Sequence, residues 1–261
     1  MKKIHFVSAD EAVQVVKSHD RIHLSSVASV PHVLIEALVR RADAGEIKDV
    51  RFHHFHTEGP APYSAPEYSG IFFDQGFFLG PNVRKNVNAG YADYLPVHLG
   101  ESQKLYRSGA LKCNVAMVQV SLPDENGYVS LGTSVDCSIA AIESADHVIA
   151  VVNKNVPYAF GDLVSIDQID TFVEADTPLV TASFAEPTPT EALIGKNCAS
   201  LVPDGACIQM GIGALPNALA AELVNHKNIG VHTEMFADGI LRLIKMGVVN
   251  GAVKTIDKGK V

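Results

Sequence analysis

The chain has 261 residues, 47% of them hydrophobic, and 21 Lys and Arg stand against 29 Asp and Glu for a net charge of −8. That length and apolar content suffice for a sizeable core in one or two domains, and the acidic balance excludes a general attraction to nucleic acid or acidic membranes. No apolar run reaches the roughly 20 residues that cross a bilayer, and Met1-Lys2-Lys3 leads into strand-like Ile4-His5-Phe6-Val7, not a signal-peptide core, so a cytoplasmic location is expected.

In chain order, Ser8-Ala9-Asp10-Glu11 fits a capping box ahead of an amphipathic helix carrying Ala12, Val15 and Val16. A strand is predicted over Arg21 to Leu24. Then Ser25 to Pro31 leads into a helix bearing Leu34, Leu38 and Val39, and Val50-Arg51-Phe52-His53 opens another strand. His54, His56 and Glu58 lie on one face of that strand as a conceivable metal grouping, but further ligands are not apparent and no metal is expected. Tyr63 to Leu99, rich in Pro, Gly and aromatic residues, reads as a packed loop that shapes a site.

Val115 to Ser121 alternates as a strand, Pro123-Asp124-Glu125-Asn126-Gly127 is a hairpin turn, and Tyr128 to Leu131 returns. Asp136 to Ala145 is predicted helical and His147 to Val152 a buried strand. Pro178, Pro187 and Pro189 bracket a polar linker around Thr188 to Thr190, which divides the chain into domains 1–186 and 187–261. The cysteines, Cys113, Cys137, Cys198 and Cys207, are far apart in apolar contexts, which predicts reduced, buried thiols and no zinc site or disulfide framework.

The second domain opens on a short strand, Ala206 to Met210, followed by Gly211-Ile212-Gly213-Ala214-Leu215-Pro216-Asn217. Pro216 suits a first helical position, and Leu215, Leu219, Leu223 and Val224 recur at helical spacing. The two glycines let the backbone approach a bound group, and the helix start beyond them points free N–H groups at it, as an anion or developing oxyanion requires. The next strand, Ile229 to Thr233, runs into Glu234, which places a carboxylate at the carboxyl edge where open α/β sheets bind ligands. A nucleophile beside oxyanion donors is one reading of this stretch. A tight turn with a solvated glutamate is another. A dinucleotide fingerprint is disfavoured because Pro216 stands where its third glycine permits close helix packing.

The order strand, turn, helix, strand occurs twice. Shifting the chain by 185 residues places Pro31 on Pro216, Leu34 on Leu219, Leu38 on Leu223 and Val39 on Val224, with Ser26 and Ala28 on Gly211 and Gly213. After a connection six residues shorter, Val50 falls on Ile229, His53 on His232 and Phe55 on Glu234. Two similar α/β domains are therefore predicted. Only about 75 residues follow the linker, too few for a second full copy, and Ala252 to Ile256 with Asp257-Lys258-Gly259 reads as one hairpin arm and its turn. The expectation is an amino-terminal portion of a longer protein, or one member of a split pair. Arg242, Lys245, Lys254, Lys258 and Lys260 are the candidates for a local basic patch facing a polyanionic ligand.

Gln209 to Asn217 together with Gly230-Val231-His232-Thr233-Glu234-Met235-Phe236-Ala237-Asp238-Gly239 resembles the acetyl-CoA hydrolase/transferase family, in particular its 4-hydroxybutyrate CoA-transferase branch. Gly90 to Pro96, Ser121 to Tyr128 and Gly132 to Asp136 support the resemblance, which spans nearly the whole chain. It implies two open α/β domains of the CoA-transferase type, and transfer of coenzyme A from a short-chain acyl-CoA to a carboxylate through a glutamyl-CoA thioester. The family's glutamate falls on Glu234 and its coenzyme A contact on Gly211, Ile212, Gly213, Ala214 and Leu215. Coenzyme A is expected as co-substrate with no permanently bound cofactor, acyl-CoA and a carboxylate such as acetate as partners, a homo-oligomer as the assembly, and a carboxyl-terminal portion supplied in cis or trans. Related 3-oxoacid CoA-transferases carry their nucleophile in an S-E-N-G motif similar to Glu125-Asn126-Gly127, but here Asp124 replaces the serine and a turn explains every residue. Alternatives are an acetyl-CoA hydrolase on the same scaffold and a non-catalytic acyl-CoA-binding half of a split enzyme.

Overall fold

A computed structural model describes residues 3–181 and 186–261, which divide into two compact units, Met1–Thr181 and Ala182–Val261. The first is an α/β unit built on one parallel sheet. Its strands are β1 (Phe6–Val7), β2 (Arg21–Leu24), β3 (Val50–His54), β4 (Phe72–Gly76), β5 (Asp93–Tyr94), β6 (Val115–Val120), β8 (His147–Asn153) and β10 (Thr171–Ala175), in the spatial order β1-β10-β8-β6-β2-β3-β4-β5. Short β7 (Tyr128–Ser130) and β9 (Leu163–Ser165) form a separate antiparallel pair. The helices are α1 (Ala9–Ala12), α2 (His32–Asp43), α3 (Pro81–Asn88), α4 (Leu99–Arg107) and α5 (Ser138–Ser144).

Strands β6 and β8 are largely apolar on both faces, as a parallel sheet covered on both sides requires, while β2 and β3 bury His23, His53 and His54. Along β6, Val115 and Met117 join one core with Leu34 and Leu38 of α2, while Ala116, Val118 and Val120 join the opposite core with Ala140 and Ala141 of α5. Each fully buried Leu or Val contributes on the order of 2 kcal/mol by leaving water. The two stacked cores therefore fix the sheet, and with it the edge where its strands end.

Several expectations are corrected. Tyr63 to Leu99 is not a loop: it supplies β4, α3 and β5. The burial of β4 alternates, but one inward position is Asp74, and a buried carboxylate hides the strand period from a hydrophobicity reading. The Pro123–Gly127 turn closes as expected, with the Asp124 carboxylate accepting from the Asn126 and Tyr128 amides at 2.9 and 2.8 Å. The returning segment pairs with β9, however, because β2 and β8 already occupy both edges of β6. Asp136 stands outside α5 and caps it, accepting from Cys137 and Ser138. Thr188 to Thr190 is a helix start, not a linker: Thr188 and Glu191 form a reciprocal capping box and Pro189 is the first residue of α6 (Pro189–Ala199). Cys113 and Cys137 are buried, with burial pushing the Cys113 thiol up to about 12, whereas Cys198 and Cys207 are exposed.

His54, His56 and Glu58 do not come together as a group at metal-ligand spacing among the described residues. His54 is fully buried and its Nε2 lies 2.7 Å from Asp74, while His56 and Glu58 approach each other at 3.4 Å. His54 Nδ1 lies 3.0 Å from the Phe55 carbonyl, so both ring nitrogens face acceptors. Burial opposes its charge, but the charge and hydrogen bond of Asp74, together with the Phe55 carbonyl and Asp136, outweigh burial and raise the pKa. His23 and His53, by contrast, are held neutral: burial lowers both to about 4. His23, Asp136 and Cys137 do approach within metal-ligand spacing, although hydroxyl groups of Tyr106 and Ser138 already occupy both nitrogens of His23.

In the second unit, β11 (Cys207–Ile208) and β12 (Gly230–Val231) pair in parallel, and Ile229 bridges Val249, also in parallel. Helices α6, α7 (Ala214–Glu222) and α8 (Asp238–Lys245) accompany them around a core that includes Met210, Leu223, Ile229, Val231, Ile240 and Leu243. Residues 252–256 make turns, not a hairpin arm. Lys254 leaves the expected basic patch: it is 8% exposed, and its ammonium donates to the Val231 and Lys260 carbonyls, each at 2.8 Å.

Candidate active site

The glycine turn and Glu234 meet at the carboxyl edge of the β11–β12 pair. The ladder runs Cys207 to Gly230 and Ile208 to Val231, and the His232 amide donates to the Ile208 carbonyl at 3.0 Å. Beyond that rung a side chain takes over. The Thr233 hydroxyl donates to the Met210 carbonyl at 2.8 Å and accepts from the Met210 amide at 3.3 Å. Gly211 follows one member of this tie and Glu234 follows the other, so the turn and the carboxylate leave the sheet side by side. Glu234 is exposed and makes no ion pair or side-chain hydrogen bond among the described residues.

Helix α7 begins earlier than its sequence suggests. Gly213, at φ 110° and ψ −175°, is the cap, Ala214 is the first helical residue, and Pro216 is the third, not the first. That backbone region is essentially reserved for glycine, and it turns the chain directly into the helix. The first intrahelical bond runs from the Asn217 amide to the Gly213 carbonyl at 3.1 Å. The amides of Gly211, Ile212 and Gly213 donate to no acceptor among the described residues, and those of Ala214 and Leu215 precede the first intrahelical bond. Ile212, Leu215 and Phe236 expose apolar side chains nearby in the sequence.

The two glycines serve different ends. A Cβ on Gly213 would meet open space, but its φ excludes side chains; a Cβ on Gly211 would find its nearest neighbour, Pro216 Cγ, at an ordinary 3.8 Å. Gly213→Ala is therefore expected to destabilise the second unit by about 1–3 kcal/mol. Gly211→Ala should change stability little, and its effect should fall on ligand approach. Denaturant melts of the two variants check this ordering, and equal destabilisation would show that the turn geometry is misread.

The first unit carries the same layout with its edge closed. After β2, Ser26 accepts from the Phe55 amide at 3.1 Å, Val27 donates to the His56 carbonyl at 2.7 Å, and Glu58 donates back to Val27 at 3.3 Å. Val27 takes φ 54°, unusual for a β-branched residue. In the second unit glycine replaces Ser26 and the corresponding turn stays open. A depression of about 300 Å³ between α7 and α8, lined by Asn217, Asp238, Gly239 and Arg242 among others, lies nearby, but neither Glu234 nor the two turn glycines line it.

A sheet edge that ends in unpaired amides on one strand and an exposed glutamate on the next carries groups able to bind, and react with, a carbonyl or anion. Residues 2–183 match the acetyl-CoA hydrolase/transferase N-terminal domain. The chain is 39% identical over 260 residues to the 4-hydroxybutyrate coenzyme A transferase of Clostridium kluyveri, covering 99% of this chain and 60% of that protein. It is 37% identical over 256 residues to a succinyl-CoA:acetate/propanoyl-CoA:succinate CoA transferase of Fasciola hepatica, covering 97% and 53%. The crystal structure of a 4-hydroxybutyrate CoA-transferase from Porphyromonas gingivalis superposes with a TM-score of 0.83 at 35% identity, covering 98% of this chain and 60% of that one. The chain belongs to the acetyl-CoA hydrolase/transferase family and spans a little over half the length of these relatives.

Proposed function

We propose that the protein transfers coenzyme A between a short-chain acyl-CoA and a carboxylate, with Glu234 as the nucleophile. The observation that supports this reading is the Thr233–Met210 tie, which joins the residue before the exposed Glu234 to the residue before the glycine turn with its unpaired amides. A carboxylate is ionised at neutral pH and attacks a thioester carbonyl without a separate base.

Attack by the Glu234 oxygen on the thioester carbon forms an acyl-glutamyl anhydride as the carbon–sulfur bond breaks and coenzyme A leaves as thiolate. The thiolate then attacks the glutamyl carbonyl, the first acid departs as carboxylate, and a glutamyl-CoA thioester remains. An incoming carboxylate attacks this thioester to form a new anhydride and release the thiolate, which takes up the new acyl group and restores the Glu234 carboxylate. Every addition places charge on a tetrahedral oxygen, and each amide already aimed at it supplies about 3 kcal/mol. The amides of Gly211 to Leu215 are the candidates, and the same segment is the proposed coenzyme A contact.

The acyl groups that fit are 4-hydroxybutyryl, butyryl and acetyl, with acetate as an acceptor; the 4-hydroxybutyrate and acetate named for the relatives support this range. We assign the remainder of the second domain to further polypeptide, in cis or trans. Strand β2 is flanked by β3 and β6 and its Ile22 is fully buried, whereas among the described residues β11 pairs with β12 alone and its counterpart Cys207 is exposed.

The test is intact mass after incubation with acetyl-CoA or butyryl-CoA, followed by peptide mapping. A coenzyme A adduct on the Glu234 peptide is expected; an adduct elsewhere overturns the assignment. A hydrolase on the same scaffold is the second reading, favoured by the exposure of Glu234 to water. Free thiol released without any dependence on acetate would select it.

A further inference from the structure

We infer that Thr233 is the positioning residue of this site, setting the separation between the Glu234 carboxylate and the amides of the glycine turn; the inference rests on the proposed role of Glu234. Comparison of the two units carries it. In the first unit a hydroxyl on the turn holds strand end and turn together: Ser26 accepts from Phe55. The offsets of 185 and 179 residues put Gly211 at the place of Ser26 and Glu234 at the place of Phe55. The second unit therefore cannot make that bond.

The hydroxyl has changed sides. Thr233, from the strand end, reaches across to the turn and engages both polar groups of Met210. Its own counterpart in the first unit, His54, is turned away into the pair with Asp74. Moving the tie to residue 233 keeps the two chain segments together after the last ladder rung and leaves the turn without a side chain at residue 211. The Glu234 amide, whose counterpart is consumed by Ser26, donates to no acceptor among the described residues.

A tie of this kind acts on distance, not on affinity. Without the hydroxyl, both polar groups of Met210 lose their cross-strand partner and the turn can drift from Glu234. A displacement of about 1 Å at a reacting pair costs on the order of 100-fold in rate. Thr233→Val preserves shape and removes the bond; Thr233→Ser preserves the bond and removes a methyl group.

The experiment follows two readouts in the full chain. Amide exchange at Met210 is expected to accelerate in Thr233→Val and to stay near wild type in Thr233→Ser, with His232 unchanged in both. The rate of coenzyme A adduct formation on Glu234 at saturating acetyl-CoA is expected to fall about 100-fold in Thr233→Val and less than about 10-fold in Thr233→Ser, with the half-saturating acetyl-CoA concentration shifting less than about 3-fold. Adduct formation in Thr233→Val at the wild-type rate overturns the inference, as does unchanged exchange at Met210. Failure of Thr233→Val to fold leaves Thr233→Ser as the arbiter, and slowing there equal to that of Glu234→Gln overturns it. If the wild-type protein forms no adduct on Glu234, the reading of Glu234 falls first, and the exchange data still report whether the tie exists.

Discussion

Glu234→Gln is expected to abolish the coenzyme A adduct and to lower acyl-CoA turnover by about 10⁴-fold or more, the scale at which removal of a covalent nucleophile acts. The amide keeps the size and polarity of the side chain but has no anionic oxygen to attack the thioester carbon. Because Glu234 is exposed and takes no part in an ion pair among the described residues, its replacement should leave the unfolding midpoint within about 0.5 kcal/mol of wild type. Activity and stability are thus separable at this position. Retention of the adduct in Glu234→Gln would transfer the chemistry to another residue, and Glu125 in the Asp124–Gly127 turn is then the next to examine.

Asp74→Ala should produce the largest loss of stability in the first unit, about 3–5 kcal/mol in denaturant melts near pH 6, because it leaves a buried imidazolium without its partner. His54 and Asp74 are both fully buried, and the second oxygen of Asp74 has no partner among the described residues, so His54 carries nearly all of the compensation. The sign of the pH dependence follows from the raised pKa of His54: burial opposes the charge, Asp74 with the Phe55 carbonyl and Asp136 more than restores it, and the bound proton stabilises the fold. That contribution is fully present below the unfolded value of about 6.5 and is lost as pH rises through the raised folded value. The gap between wild type and Asp74→Ala should therefore narrow on the alkaline side. A gap independent of pH would mean that the pair is neutral, and that the aspartate acts through packing alone.

Much of this architecture was legible because it depends on periodic burial. β2 falls on the predicted Arg21–Leu24, and α2, β3, β6 and β8 fall where runs of Val, Ile and Leu announced them. The expected duplication rests on the same kind of spacing, although Leu34 and Leu38 are fully buried whereas, of their counterparts, Leu223 is buried and Leu219 only half-buried. What escaped was fixed by polar groups whose partners are distant in sequence. Asp74 concealed β4 because only a histidine 20 residues away explains a carboxylate in a strand interior. The start of α7 depended on the φ of Gly213, which no local spacing encodes, and the inward turn of Lys254 depended on carbonyls of Val231 and Lys260. At the candidate site, the sequence offered Gly211, Gly213 and Glu234, but the role of Thr233 needed the register of two short strands. The capping box at Thr188 is legible in Thr188 and Glu191, but the flanking Pro187 and Pro189 give the segment the composition of a linker.

The outer side of β11, which has no strand partner among the described residues, bears on how this protein must be handled at the bench. Ile208 spends its carbonyl on His232, so Cys207 is the residue of β11 at the outer side, beside its own exposed thiol, and unpaired strand edges recruit copies of themselves. An exposed thiol is open to air oxidation, and oxidation between two chains at Cys207 or Cys198 would give a covalent dimer. Sizing and mass measurements on the isolated chain therefore call for a reducing buffer throughout, so that assembly is recorded and not chemistry from the purification.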